Sequence, residues 1–412
     1  MAEPVRLESL TYFGRLGPIP RHFLGCSLGF AMPAASPPLN LPRSAYVHVP
    51  FCRHRCGYCN FAVVAGRDDL ADAYLTAVER EWQSLGQPRP VDTLYFGGGT
   101  PTQLALPQLQ QLCQLARQWH PLAADGEWTV EANPDDVDAP LVELLAGVGV
   151  TRISLGSQSL NAAKLAALDR THSPEAVRRA AELVQAAGLQ LAADLIFAAP
   201  GETLAEWRAD LAEMIALAPD HVSTYGLTIE RGTRFFGQQQ RGAVVEVDEQ
   251  LQRDMYAAAI DELSAAGLEH YEISNFATPG RRSRHNEAYW AGAEYYAVGP
   301  GAARYVAGVR ETNHRSTTTY LRRVLAGESP VELREQLDPE SAARERLVFG
   351  LRRLQGVSRD WFHEQTGFQV DQLAGPAIAK YASLGLLADN GARVQLTREG
   401  LFVSDAIWPD LL

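Results

Sequence analysis

Three cysteines carry the densest chemistry in this chain: Cys52, Cys56 and Cys59, spaced C-x3-C-x2-C. Three thiolates on one tight loop can hold three irons of a [4Fe–4S] cluster. The fourth iron then has no protein ligand and stays open to a small molecule, the arrangement of a catalytic metal site. Tyr46, Phe51, Tyr58 and Phe61 flank the loop. Their rings would restrict solvent and so tune the potential of a cluster. Two other chemistries compete. A structural zinc site needs a fourth ligand, for which His48 or His54 stands nearby. A redox pair of Cys56 and Cys59 would leave Cys52 unexplained. Of the remaining cysteines, Cys113 lies among Leu109, Leu112 and Leu115 and reads as packing. Five cysteines, three of them clustered, are no disulfide framework and point to a reduced, cytoplasmic chain.

The elements that must position this loop alternate. Short β-rich runs occur at 45–49, 93–96, 128–131, 152–155, 191–197 and 222–225, each followed by a helical pattern. Leu70, Tyr74, Val78, Trp82 and Leu85 would form one buried helical face. Ser173-Pro174-Glu175 reads as N-cap, N1 and N2 of a helix. Thr203 and Glu206 read as a capping box. Six strand–helix units in succession predict a parallel sheet with right-handed crossovers, its strands apolar as in sheets buried on both faces. The fold expected is α/β, a partial (β/α)6 barrel over 44–240 with its active groups at the C-terminal ends of the strands. The cysteine loop follows the first strand. The Gly97-Gly98-Gly99-Thr100-Pro101 run follows the second, where glycines would let a ligand approach and expose backbone amides. Glu131 ends the third strand and Gln158 the fourth. Asp194 sits within an apolar run of the fifth, where an unpaired carboxylate is costly.

Beyond the barrel, 241–335 reads as an extension that closes it, with a helix at 248–266 and a strand at 271–276. Residues 336–412 read as a small α+β, winged-helix-like domain. Its helices are expected at 341–354, 358–366 and 370–384, and Asn390-Gly391 predicts a type I′ hairpin over 386–396. Its third helix carries Lys380 as the clear cation, which favours packing or a protein partner over DNA. Residues 1–43 have no period and read as a disordered extension. Within them 21–36 faintly resembles a signal peptide, and Met32 is an alternative start.

Composition sets the outer bounds. An apolar fraction of 46% and a charged fraction of 21% over 412 residues are ordinary for globular domains. The net charge, 37 − 49 = −12, argues against nucleic acid as a partner held by a broad basic surface. No run of about 18 apolar residues marks a membrane span.

The stretch YVHVPFCRHRCGYCNF at 46–61 resembles the signature of radical S-adenosylmethionine (SAM) enzymes. More narrowly, it is similar to the oxygen-independent coproporphyrinogen III oxidase family and its HemW-type relatives. Similar stretches recur in order: LYFGGGTPT (94–102), EANP (131–134), RISLGSQS (152–159), DLIFAAPGET (194–203), HVSTYGLTIERGT (221–233), EISNFATPG (272–280) and HNEAYW (285–290). The resemblance implies a [4Fe–4S] cluster on Cys52, Cys56 and Cys59. It implies SAM held by Tyr46, Tyr58, Gly98, Gly99, Thr100, Glu131, Gln158, Arg170 and Asp194. An internal ion pair such as Asp194 with Arg170 is the plainer reading of the last two. The chemistry implied is reductive cleavage of SAM to methionine and a 5′-deoxyadenosyl radical.

Within the family, the oxidase branch is expected to carry a fourth cysteine where this chain has Phe61, and an N-terminal arm that 1–45 lacks. Phe61, with the HN-x2-YW motif at 285–290, matches the HemW-type pattern instead. There the resemblance implies that His285, Tyr289 and Trp290 contact haem. Imidazole is an axial iron ligand, Tyr289 at i+4 shares its helical face, and Trp290 can pack on a porphyrin. Arg281, Arg282 and Arg284 would meet propionates. The plainer reading is a core histidine and aromatic pair closing the barrel. The function implied is a haem chaperone passing its cargo to apo-cytochromes of the respiratory membrane. A low-potential electron donor and a second copy of the chain complete the expected partners. The alternative is oxidative decarboxylation of coproporphyrinogen III to protoporphyrinogen IX.

Overall fold

The computed structural model describes residues 41–412. The expectations for 1–40, including the leader-like run and the Met32 start, lie outside the described residues. The six anticipated strands all form: β1 (Ser44–Val49), β2 (Val91–Gly98), β3 (Leu122–Ala132), β4 (Arg152–Gln158), β5 (Gln190–Phe197) and β6 (His221–Gly226). They pair in sequence order and in parallel. Further on in the chain are β7 (Glu269–Glu272), β8 (Asn275–Ala277) and β9 (Tyr296–Val298). The nine-stranded sheet runs β9-β1-β2-β3-β4-β5-β6-β8-β7. Between strands lie α1 (Ala71–Gln83), α2 (Leu106–Trp119), α3 (Ala139–Val148), α4 (Ala162–Ala167), α5 (Pro174–Ala186) and α6 (Leu204–Ala216).

The local signals behave as their chemistry requires. Ser173 caps α5 with Pro174 at its first position, and Thr203 and Glu206 form the reciprocal box at α6. Tyr74, Val78 and Trp82 are wholly buried on α1, and Cys113 on α2. The expectation for the sheet faces fails. The strands are not apolar on both faces. Val47, Phe96, Val130, Ile153 and Leu191 join the helices in one core. Their sequence neighbours form polar rows. Register sets Tyr46, Tyr95, Thr129, Arg152 and Gln190 side by side, and then Glu131, Ser154, Ala192 and His221.

The expected strand at 271–276 is instead a reversal between antiparallel β7 and β8. The buried Glu272 carboxylate causes it by accepting bonds from the Ser274 amide and the Asn275 side chain. The chain continues through α7 (Arg234–Gln239), α8 (Glu249–Ala265), α9 (Arg284–Trp290) and α10 (Thr317–Leu325). The later part of the chain adds α11 (Pro339–Arg352), α12 (Arg359–Thr366) and α13 (Val370–Ser383), near the expected bounds. The final hairpin pairs Asp389 with Val394, leaving a loop longer than a type I′ turn, with positive φ at Gly391 but not at Asn390. Asn390 and Asp389 use their side chains to satisfy the loop amides instead.

Glu81 ties the segment 299–320 to α1. Buried on α1, it accepts from Tyr320 Oη (2.6 Å), Asn313 Nδ2 (2.7 Å) and the Gly299 amide (2.9 Å). Glu81→Ala strips three buried donors of their acceptor and should cost about 3 kcal/mol or more. Thr203→Ala removes only a cap and should cost about 1 kcal/mol. Denaturant midpoints at unchanged slope would check that order.

Candidate cluster and cofactor site

The cysteine loop leaves β1 at its C-terminal end and is closed by a turn from the Cys59 amide to the Cys56 carbonyl (3.1 Å). All three thiols are half-buried. Burial pushes Cys52 up to about 12, against a weak pull from the Thr100 hydroxyl 3.7 Å away. Burial raises Cys59 as well. Such a site favours neutral thiols until metal charge turns them into thiolates, so loading must release protons. Among the described residues, no three His, Cys, Asp or Glu side chains converge on one point. A cuboidal cluster takes one iron per thiolate, so three thiols on one loop suffice for it. The candidate fourth zinc ligands are also engaged. His48 meets Tyr46 Oη and the Ala62 carbonyl, and His54 meets Asp169. The donor set therefore fits a [4Fe–4S] group.

Arg170 reaches over this loop. Its guanidinium donates to Cys56 Sγ (3.4 Å), Asn133 Oδ1 (3.1 Å) and the Gly156 carbonyl (2.9 Å). The suspected ion pair with Asp194 is not made. Tyr58 stands beside Cys56 and packs edge-on against Phe235. Asn133 and Gly156 escaped sequence reasoning, although both lie inside the motifs quoted above.

The glycine run works differently from the expectation of exposed amides. The Gly98 amide donates to Glu131 Oε2 (3.1 Å), Gly99 to the Val49 carbonyl and Thr100 to that of Phe51. A Cβ on Gly97 would lie 2.8 Å from the Glu131 carboxylate, and one on Gly98 would lie 2.3 Å from the His48 ring. Gly98 also has φ +103°. These glycines exist so that β2 can pack against Glu131 and His48. Glu131 takes its second bond from Tyr95 Oη (2.8 Å). Tyr46 stacks on Tyr95.

Asp194 is buried, and its Oδ1 has no partner among the described residues. Burial raises its pKa to about 6, against the Ser223 hydrogen bond. Gln158 ends β4 in the left-handed region at φ +62°. An orphaned carboxylate oxygen within β5 and a strained backbone at the end of β4 are features of a ligand site.

His285 lies elsewhere. Helix α9 packs on the N-terminal halves of β2 and β3, where the Glu127 carboxylate caps the amides of Arg284 and His285. The imidazole bonds Thr93 through Nδ1 (2.9 Å) and Tyr289 Oη through Nε2 (3.0 Å), and stacks on Tyr95. Burial holds its pKa down to about 3, so the ring is neutral. Trp290 faces Arg352 and Phe349 of α11. Arg282 pairs with Glu269 and Glu287, Arg281 with Asp220, and Arg284 with Asp125. His285 is thus linked to the cluster face through Tyr95 and Glu131, and Tyr289 stands near Tyr46.

Residues 46–214 match the Radical SAM superfamily, and 337–403 match the HemN C-terminal domain. The heme chaperone HemW of Lactococcus lactis is 36% identical over 91% of this chain and 98% of its own length. The heme chaperone HemW of Escherichia coli is 34% identical over 89% and 97%. This chain belongs to the HemW-like family of radical SAM proteins. A solved structure, the coproporphyrinogen III oxidase HemN of Escherichia coli, shares its fold with TM-score 0.80 over 90% of each chain at 22% identity. The fold is thus the α/β radical SAM type with a distinct C-terminal subdomain. Membership in this HemW-like family supports use of a [4Fe–4S] cluster and SAM.

Asp194 gives a signed test. Its raised pKa means that an ionised Asp194 costs stability, with the cost growing as pH rises from about 4 through 6. Asp194→Asn should stabilise the metal-free protein at pH 8 by about 3 kcal/mol, and hardly at all near pH 4. The same change should weaken SAM binding in reconstituted protein. Melts at both pH values, paired with SAM titration, would check it. Equal stabilisation at both would contradict the assignment.

Proposed function

We propose that this protein is a haem chaperone that takes up haem and hands it to apo-haemoproteins, respiratory cytochromes among them, from the cytoplasm. The observation that carries the reading is its end-to-end likeness to the HemW chaperones. No helix of the described residues is long and apolar enough to cross a membrane. Delivery to a membrane-bound acceptor would therefore use a docking contact.

In this reading Cys52, Cys56 and Cys59 hold the cluster, and Tyr46, Tyr58, Gly98, Gly99, Thr100, Glu131, Gln158, Arg170 and Asp194 surround SAM. The bound pair supplies one-electron and radical chemistry at low potential. Arg170 steadies the Cys56 thiolate by a charge-assisted hydrogen bond. Glu131 holds the strand end through Gly98, and Asp194 offers its free oxygen to a donor on the ligand. Phe61, at the place of the oxidase branch's fourth cysteine, is partly exposed beside the loop.

Haem contact is assigned to His285, Tyr289 and Trp290. A neutral imidazole is the form that binds iron. Both of its nitrogens are already bonded, so uptake requires the seven-residue helix α9 to turn away from β2.

The test uses anaerobically reconstituted protein. One arm titrates haem by absorbance. The other supplies coproporphyrinogen III, SAM and a low-potential reductant and follows protoporphyrin. Stoichiometric haem binding without decarboxylation is expected, and catalytic decarboxylation would overturn the proposal in favour of the oxidase reading. His285→Ala should alter the haem spectrum, and an unchanged spectrum would remove that ligand.

A further inference from the structure

Of the 37 Lys and Arg residues in the sequence, only Lys164 and Lys380 are lysine. Lys164 is also buried. From α4 its ammonium meets Glu202 Oε1 at 2.5 Å and Asp210 Oδ2 at 2.9 Å, and it sits 4.6 Å from the centre of the Trp207 ring. Both carboxylates are 2% exposed. Each also grips backbone. Asp210 accepts from the Leu160 amide (2.8 Å) and Ser159 Oγ (2.6 Å), and Glu202 accepts from the Ala199 amide (2.9 Å). One ammonium thus ties the exit of β4 to the exit of β5 and to α6. A compact three-donor charge suits this point, where a planar guanidinium would need more room.

What the tie secures is strained. Among the described residues, five that are not glycine have positive φ, and three of them bracket this network: Gln158 (+62°), Asp169 (+63°) and Ala198 (+61°). Such conformations persist only where the surroundings over-determine them. Gln158 directly precedes Ser159. Asp169 directly precedes Arg170, which touches Cys56 Sγ. Asp194 lies on the strand that leads into Ala198.

We propose that Lys164, with Glu202 and Asp210, is a positioning residue for the cluster and SAM site, holding the two left-handed turns that set Gln158 and Arg170 beside Gly156 and aim Arg170 at Cys56. This rests on the reading of that site given above. The ammonium touches neither the cluster loop nor its ligand. It acts through the backbone of 157–170, as the outer partners of metal sites do.

Lys164→Met alone leaves two buried carboxylates without their cation and should lower the melting temperature. The decisive variant is therefore Lys164→Met with Glu202→Gln and Asp210→Asn, which keeps volume and buries no charge. The full chain is reconstituted anaerobically, and iron content, melting temperature, SAM affinity and the electron paramagnetic resonance of the reduced cluster with and without SAM are measured. The triple variant should load iron and melt near wild type, yet bind SAM about 10- to 100-fold more weakly. Its SAM-induced spectral change should shrink, and amide exchange over 157–170 should quicken in the metal-free protein. Wild-type affinity and spectra in a triple variant that loads its cluster would overturn the inference alone. A wild-type protein that neither loads a cluster nor binds SAM would overturn the site reading beneath it.

Discussion

The two-residue period of the β-strand decides which side chains of the sheet meet the helices and which take its other, more polar face. Everything at this site depends on that alternation. Val47, Phe96, Val130 and Ile153 go outward into the helical core. Tyr46, Tyr95, Thr129, Glu131 and Asp194 therefore go to the other face, whether or not it is cheap to put them there. A slip of one residue in any strand would exchange the two sets.

The cost of that polar face is met unevenly. Glu131 is satisfied by Tyr95 and Gly98, whereas Asp194 keeps one oxygen without a partner. Burial raises the Asp194 carboxyl and the Cys52 thiol for the same reason: each loses water before it gains a counter-charge. The groups left expensive in the metal-free chain are those that a cationic cluster and a hydrogen-bonding ligand would relieve. Local stability is given up where ligand affinity is gained.

The haem-binding candidates show the same economy in reverse. His285 is fully partnered and neutral, packed under Tyr95 toward the N-terminal ends of the strands, whereas the cysteine loop lies at their C-terminal ends. The stack of His285 on Tyr95 and the hydrogen bond from Tyr95 to Glu131 join α9 to the cofactor face in one set of contacts. Displacing α9 would remove one of the two rings that stack on Tyr95, so in the proposed reading haem uptake and the cofactor face would share one physical element.

Much of this was legible in the sequence because the signals are local. The spacing of Cys52, Cys56 and Cys59 fixes a three-thiolate loop whatever surrounds it. The apolar stripe on α1 and the caps at Ser173 and Thr203 act within one or two helical turns. The six strands followed from runs of β-formers. The reversal after Glu272 and the longer hairpin at Asn390 were misjudged, since each turns on which amide a side chain finds. Only the tertiary structure decided that the glycine run serves Glu131 and His48, that Arg170 goes to Cys56 rather than Asp194, and that Lys164 lies between two carboxylates 38 and 46 residues away. Those pairings depend on strand register and crossover packing. They bring together residues that no local pattern links, and burial then makes each unmet partner too costly to leave.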